Sequence, residues 1–268
     1  MFKQVKFTIL TENQIYGIFR KRDIIPKMLN LELNNGRLEL FNKIPETAWA
    51  TDYATVQSAL YYEEHLNNSY LIKTEDLTYN IVTSKGHRKQ VTSEKSIGIR
   101  PVFEYREFLN HKIHQNEDGL YEFTYGEYPE KVMFKDEAKA ISYKIPDSKL
   151  FEETGKTAKI YHLLTADGKV QTYSEYLIDN EKFVIVKGQA CKEGEYTLST
   201  SETYHPRDNV YIRIKPIVWY LDKESNLAIS KNILFTLPLS LNSDEMRKYL
   251  QTVFAKDLIS SKCLKKTK

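Results

Sequence analysis

Glycine and proline are scarce in this chain, with 10 and 8 among 268 residues. Cysteine occurs twice, as Cys191 and Cys263. Two cysteines cannot encode a disulfide framework, and two reduced thiols in a cytoplasmic protein are the simpler reading. No apolar run approaches the roughly 18 residues a membrane-spanning helix needs. The first residues, Met1 to Phe7, hold no apolar stretch followed by a small-residue cleavage site, so secretion through a signal peptide is not expected. Neither charge sign is in excess. Lys and Arg number 39 against 36 Asp and Glu, a net charge of +3. The corresponding pI near 8.5 does not by itself announce a nucleic-acid binder. Disorder is excluded by a 41% hydrophobic and 28% charged composition. A chain of this length can bury about three quarters of its unfolded surface, enough for a core without staples.

Aromatic residues are plentiful: 19 Tyr, 12 Phe and 2 Trp. Tyr and Phe favour half-buried pleated surfaces, and Tyr adds stiff amphipathic area at interfaces. AT-rich codon usage accounts for the same count. The hydrophobic pattern follows period two over many short segments. It predicts strands at 4–10, 70–74, 79–83, 88–92, 98–105, 121–125, 157–164, 169–173, 183–187, 210–214 and 218–222. Turn signals fall at Asn34-Asn35-Gly36, Ser84-Lys85-Gly86, Ala166-Asp167-Gly168 and Lys223 to Asn226. Helices are expected over 23–31, over 51–66 with Thr51 as N-cap, over 136–141, and over 244–254 with an apolar stripe of Met246, Tyr249, Leu250 and Val253. The polar, aperiodic stretch 110–120 is the expected linker between a first half, 1–109, and a second, 121–268. No solenoid period recurs.

Several residue groups then read together. Thr51-Asp52-Tyr53-Ala54 is followed by Tyr70 to Thr74 and by Gly98-Ile99-Arg100-Pro101-Val102. The second half carries Tyr125-Gly126-Glu127-Tyr128-Pro129, then Lys215-Pro216-Ile217-Val218-Trp219, then Leu227 to Leu234. These motifs resemble a bacterial and phage family of uncharacterised domains. That family is similar to the C-type-lectin-like phage proteins and to the formylglycine-generating sulfatase-modifying enzymes. The resemblance implies an α+β, β-rich fold with a C-type-lectin-like core. The Gly-Ile-Arg-Pro half precedes the Tyr-Gly-Glu-Tyr-Pro half, the reverse of the family's order, which implies one core in permuted order, an exchange of halves with a second copy, or else two half-related domains, with residues 146–208 as an inserted β-rich extension. It also implies structural roles for Asp52, Arg100, Pro101, Tyr125, Gly126, Pro129 and Trp219. Ser58 and Leu71 depart from the family's usual Gly and Trp.

No coherent catalytic constellation accompanies these motifs. The enzymes of that wider group use paired cysteines, and neither Cys191 nor Cys263 lies in a matching motif. Gly155-Lys156-Thr157 lacks the glycine of a phosphate loop, where Leu150 stands. The Gly-x-Ser-x-Gly elbow is absent. His111 and His114 share a spacing suited to one helix face and a metal, without a third ligand nearby. The expectation is therefore a non-catalytic binding protein without cofactor or metal, cytoplasmic or virion-associated. The resemblance implies a phage- or prophage-borne protein that binds a host protein, for example to inhibit a defence system. A receptor- or glycan-binding adhesin is the first alternative, and a formylglycine-generating-like enzyme the second. Candidate contact residues are Tyr61, Tyr62 and Glu64 on the 51–66 helix, and Tyr79, Arg88 and Lys89 in the basic hairpin. Nucleic acid is a disfavoured partner, because acidic residues nearly match the basic ones. A homo-oligomer is left open, and no membrane partner is expected.

Overall fold

The computed structural model describes residues 5–19, 44–57, 69–74, 78–83, 86–91, 96–106, 111–145, 159–165, 167–188, 195–238 and 243–258. The expected helix over 23–31, the Asn34-Asn35-Gly36 turn, Tyr61, Tyr62, Glu64, Gly155, Cys191 and Cys263 lie outside the described residues.

The fold is α+β and rich in strand. Helix α1 covers Glu12–Ile18, α2 Asp52–Gln57, and α3 Lys135–Ser142. In the first half, β1 is Tyr70–Lys73, β2 Tyr79–Val82, β3 Arg88–Gln90, β4 Ser96–Ile99 and β5 Val102–Glu104. Then come β6 His114–Gln115, β7 Tyr121–Val132, β8 Ile160–Leu164, β9 Val170–Ser174, β10 Tyr176–Ile178 and β11 Glu181–Lys187. The last strands are β12 Tyr196–Thr197, β13 Thr203–Tyr204, β14 Asn209–Asp222, β15 Leu227–Ser230 and β16 Phe235–Pro238. The chain then enters α4, Ser243–Lys248, which passes through a π-helical stretch, Tyr249–Phe254, into α5, Ala255–Leu258.

Two sheets carry the architecture. The five-stranded sheet has the order β16-β4-β1-β2-β3, with only β1 and β4 parallel. The seven-stranded sheet runs β10-β11-β14-β15-β5, with β7 also paired to β14 and β6 to β7. Strands from before residue 110 and after residue 120 are neighbours in both sheets. Strand β4 pairs with β16, and β5 pairs with β15.

One expected strand is in fact two. The segment 98–105 breaks at Arg100-Pro101, sending β4 to one sheet and β5 to the other. Proline has no N–H for a ladder and fixes its own φ, which suits a corner. Conversely, 210–214 and 218–222 are one strand, β14, that continues through Pro216. Register shifts at Arg213/Ile214 and Pro216/Val218 mark bulges, where a strand tolerates proline. The second shift moves the core-facing set from Val210, Ile212 and Ile214 to Ile217, Trp219 and Leu221. Of the segment 4–10, expected as a strand, the described residues 5–10 contribute a single bridge, Thr8 to Val102. The stretch expected as a linker is a hairpin arm. Gln115 pairs with Tyr121, the Asn116 side chain accepts from the amides of Asp118 and Leu120, and Leu120 is buried.

The main core lies where the two sheets, the β8–β9 hairpin and the C-terminal helix meet. Its centre is a ring cluster of Phe7, Phe103, Phe254 and Trp219, with Phe103 and Trp219 centroids 4.8 Å apart. A second core of Leu10, Ile18, Ile44, Tyr70, Ile72, Ile229 and Ile233 closes under α1 and residues 44–48.

Candidate binding surface

The motif residues build a frame. Thr51 caps α2: its Oγ1 accepts from the Ala54 amide and donates to the Leu234 carbonyl, each at 3.1 Å. Asp52 is buried and accepts three bonds, from the amides of Val132 (2.7 Å) and Ser199 (2.9 Å) and from the Ser199 hydroxyl (2.5 Å). It thereby ties α2 to β7 and to the loop between β12 and β13. Arg100 is 1% exposed. Its Nε donates to the Ser230 carbonyl at 2.7 Å and its Nη1 to Pro45 at 3.1 Å, with the guanidinium 5.4 Å from the Phe19 and Tyr70 ring centres. Burial raises the Tyr70 phenol well above its ordinary value, with Arg100 opposing. Pro101 is buried beside it and accepts from the Ser230 amide. Trp219 is fully buried and its Nε1 donates to the Tyr125 carbonyl at 2.9 Å. Gly126 has φ +74°, and a Cβ there would meet Leu258 at 2.9 Å. Pro129 pairs opposite Ile214.

That frame fixes a loop, 44–50, at nearly every residue. Pro45 accepts from Arg100, and the Glu46 carbonyl accepts from Tyr70 Oη at 2.7 Å. Glu46 Oε1 pairs with Arg88 at 3.1 Å. The Trp49 carbonyl accepts from the Ile233 amide, and the Thr51 amide donates to the Ile233 carbonyl, both at 2.9 Å. Ala48 is buried while Trp49 is 73% exposed. An apolar side chain of this size, held out by a fixed backbone, loses little freedom when a partner covers it.

The neighbourhood of that loop is charged. Ile233 follows Asn232, whose amide donates to Glu130 Oε1 at 3.4 Å. Burial pushes the Glu130 carboxyl up, while Lys215, Lys231 and Lys131 pull it down and Asp52 pushes it up further. On the other flank, the β2–β3 turn at Gly86 (φ +71°) lies against Glu46 and Thr47.

The expected contact residues divide. Arg88 and Lys89 form the edge strand β3, with Arg88 paired to Glu46 and Lys89 exposed. Tyr79 on β2 is half-buried against the main core. Basic residues on an edge strand also discourage pairing with another sheet. His111 and His114 do not share a face. His111 stacks on Phe123 (5.3 Å, 17°), whereas His114 Nε2 lies 3.2 Å from Glu122. Among the described residues, no group of three or more His, Cys, Asp or Glu could hold a metal ion. The sequence around Trp49 carries little sign of its exposure, because Ala48-Trp49-Ala50 reads as a small apolar run. Its one local signal is its place just before the cap Thr51.

A second polar cluster joins the β8–β9 hairpin to the C-terminal helix. The His162 amide donates to Asp257 Oδ2, and its Nδ1 lies 3.2 Å from Oδ1. Lys159 donates to the Asp257 carbonyl and covers the Tyr161 ring, whose hydroxyl donates to Glu175 at 3.2 Å. Burial lowers the Lys159 ammonium and raises the Tyr161 phenol. The groups bond one another, so the arrangement works as an internal clasp.

Comparison of the chain with protein-family models, curated proteins and solved structures returns no match. No helix among the described residues is long and apolar enough to cross a membrane.

Proposed function

We propose that this chain is a non-catalytic binding protein that engages another protein through the surface around Trp49. The observation that carries the reading is Trp49 itself, 73% exposed on a loop whose backbone is bonded on both sides of it. Interfaces concentrate their energy in a few residues, and Trp leads among them. The motif resemblance adds a source and a scaffold: a phage- or prophage-borne protein with a C-type-lectin-like core, its permuted halves completing one another, that binds a host protein. Pairing of β4 with β16 and of β5 with β15 supports that completion.

The test is affinity capture from lysate of the native host, at physiological and at high salt, with wild type and Trp49→Ala side by side. One stoichiometric protein retained by wild type and lost by Trp49→Ala, at equal thermal stability, is the expected result. Capture that ignores Trp49 removes this surface from the account. No captured protein at either salt favours the adhesin alternative, to be sought among glycans and receptors.

A further inference from the structure

We infer that the edge of the seven-stranded sheet beside Glu104 takes an extended peptide segment of a partner protein, which adds to β5 as a further strand. The backbone directions point to this edge. The Tyr105 amide donates to the Asn226 carbonyl at 2.7 Å, and the Pro101 carbonyl accepts from the Ser230 amide at 3.0 Å. These bonds aim residues 101 and 105 at β15. Successive residues of an antiparallel ladder alternate sides, so Val102 and Glu104 aim the other way. Val102 is satisfied there, exchanging two bonds of 2.8 Å with Thr8. Glu104 is not. The bridge from Thr8 to Val102 is isolated, and pairing does not continue to Lys6 and Glu104. The Glu104 N–H and C=O have no hydrogen-bond partner among the described residues, and Glu104 is exposed.

A cleft of about 530 Å³ opens at that point, lined by Val5, Lys6 and Thr8 together with Phe103, Glu104 and Leu227. Its walls thus join apolar surface to an unpaired donor and acceptor in the plane of the sheet. An extended chain matches this chemistry. It offers a C=O and an N–H to one strand residue, and its alternate side chains reach the apolar wall. Charge gives little selection here. Glu104 and Arg106 pair with each other at 3.1 Å, which leaves Lys6 as the other charge on the rim. A second copy of this sheet fits less well, because edge-to-edge pairing runs along several residues and Thr8 already holds Val102. A single segment entering past Thr8 meets no such obstacle. Neither Trp49 nor the rest of its loop lines this cleft, so the site stands apart from the Trp49 surface.

The probe is a displayed library of random linear dodecapeptides, selected on the full chain, with the enriched peptides then synthesised and titrated. Glu104→Pro removes an N–H that no bond in the fold uses, at an edge where proline is tolerated. Glu104→Ala keeps that N–H. The expected result is an enriched peptide with alternating apolar residues. Its affinity falls at least roughly tenfold in Glu104→Pro, at equal thermal stability, and stays within about threefold of wild type in Glu104→Ala. Hydrogen exchange on the wild type gives a reading that needs no variant. The Glu104 amide should exchange freely in the protein alone and slow at saturating peptide, whereas the bonded Val102 and Tyr105 amides are slow in both states. No enriched peptide, peptides that bind Glu104→Pro as they bind wild type, or an unchanged Glu104 amide overturns the inference. Peptides lost in Trp49→Ala but kept in Glu104→Pro belong to the Trp49 surface; they overturn this site and leave the binding reading in place.

Discussion

Arg100 sits at a corner where two antiparallel segments pass from one sheet to the other. Its guanidinium answers the carbonyls of Ser230, which is fully buried, and of Pro45, which is partly buried. Replacing it with Met keeps the volume and orphans both acceptors. Each buried, unpaired acceptor costs about 1–3 kcal/mol, so Arg100→Met should lower the unfolding free energy by at least about 2 kcal/mol in urea titrations. His111 gives a pH prediction. Burial against Phe123 holds its imidazole below the usual value, and its Nε2 has no hydrogen-bond partner among the described residues. A depressed folded pKa means the folded state disfavours the proton. The contribution is therefore fully present above the unfolded value, near 6.5, and is lost as pH falls toward the folded one. The stability difference between His111→Phe and wild type should be flat above about pH 7 and move in the variant's favour below about 6.5. A difference that is unchanged across that range contradicts the assignment.

At the scale of elements, close approach decides two glycines. A Cβ at Gly98 would lie 2.5 Å from the Ser69 carbonyl, at the entry to the parallel pair β1 and β4. At Gly126 a side chain would need a left-handed backbone and would press on Leu258. Gly126→Ala should cost about 1–3 kcal/mol, and thermal unfolding should show it. Gly98→Ala should cost at least as much, because backbone cannot yield as a leucine side chain can. Short strands such as β1, β2 and β11 were legible, since alternation is local. What escaped was decided by tertiary contact. The segment 98–105 reads as one strand until β16 and β15 take its two parts into different sheets, and Pro216 reads as a terminator until a bulge accommodates it. The hairpin arm at 111–120 looked like a spacer because its order comes from the Asn116 side chain and from β7. The surface was least legible of all. Arg88 and Lys89 announce themselves by charge, but exposure of Trp49 is a property of the fixed 44–50 loop, not of its flanking alanines.

Across the whole molecule, the two sequence halves share both sheets and one aromatic core. No sheet can be dismantled without exposing the other's apolar face. Equilibrium unfolding should therefore be one transition, with far-ultraviolet circular dichroism and tryptophan emission coinciding. Two separated transitions would mean that the halves hold together independently. The same rigidity is what gives Trp49 its value as an anchor, because its loop hangs from Arg100, Tyr70 and Ile233 rather than from its own turn. The direct measurement is titration of the purified captured partner into wild type, Trp49→Ala and Tyr143→Ala, the last 80% exposed at the end of α3. The account predicts a loss of roughly thirtyfold or more in affinity for Trp49→Ala and wild-type binding for Tyr143→Ala. Equal affinity for all three proteins would contradict it.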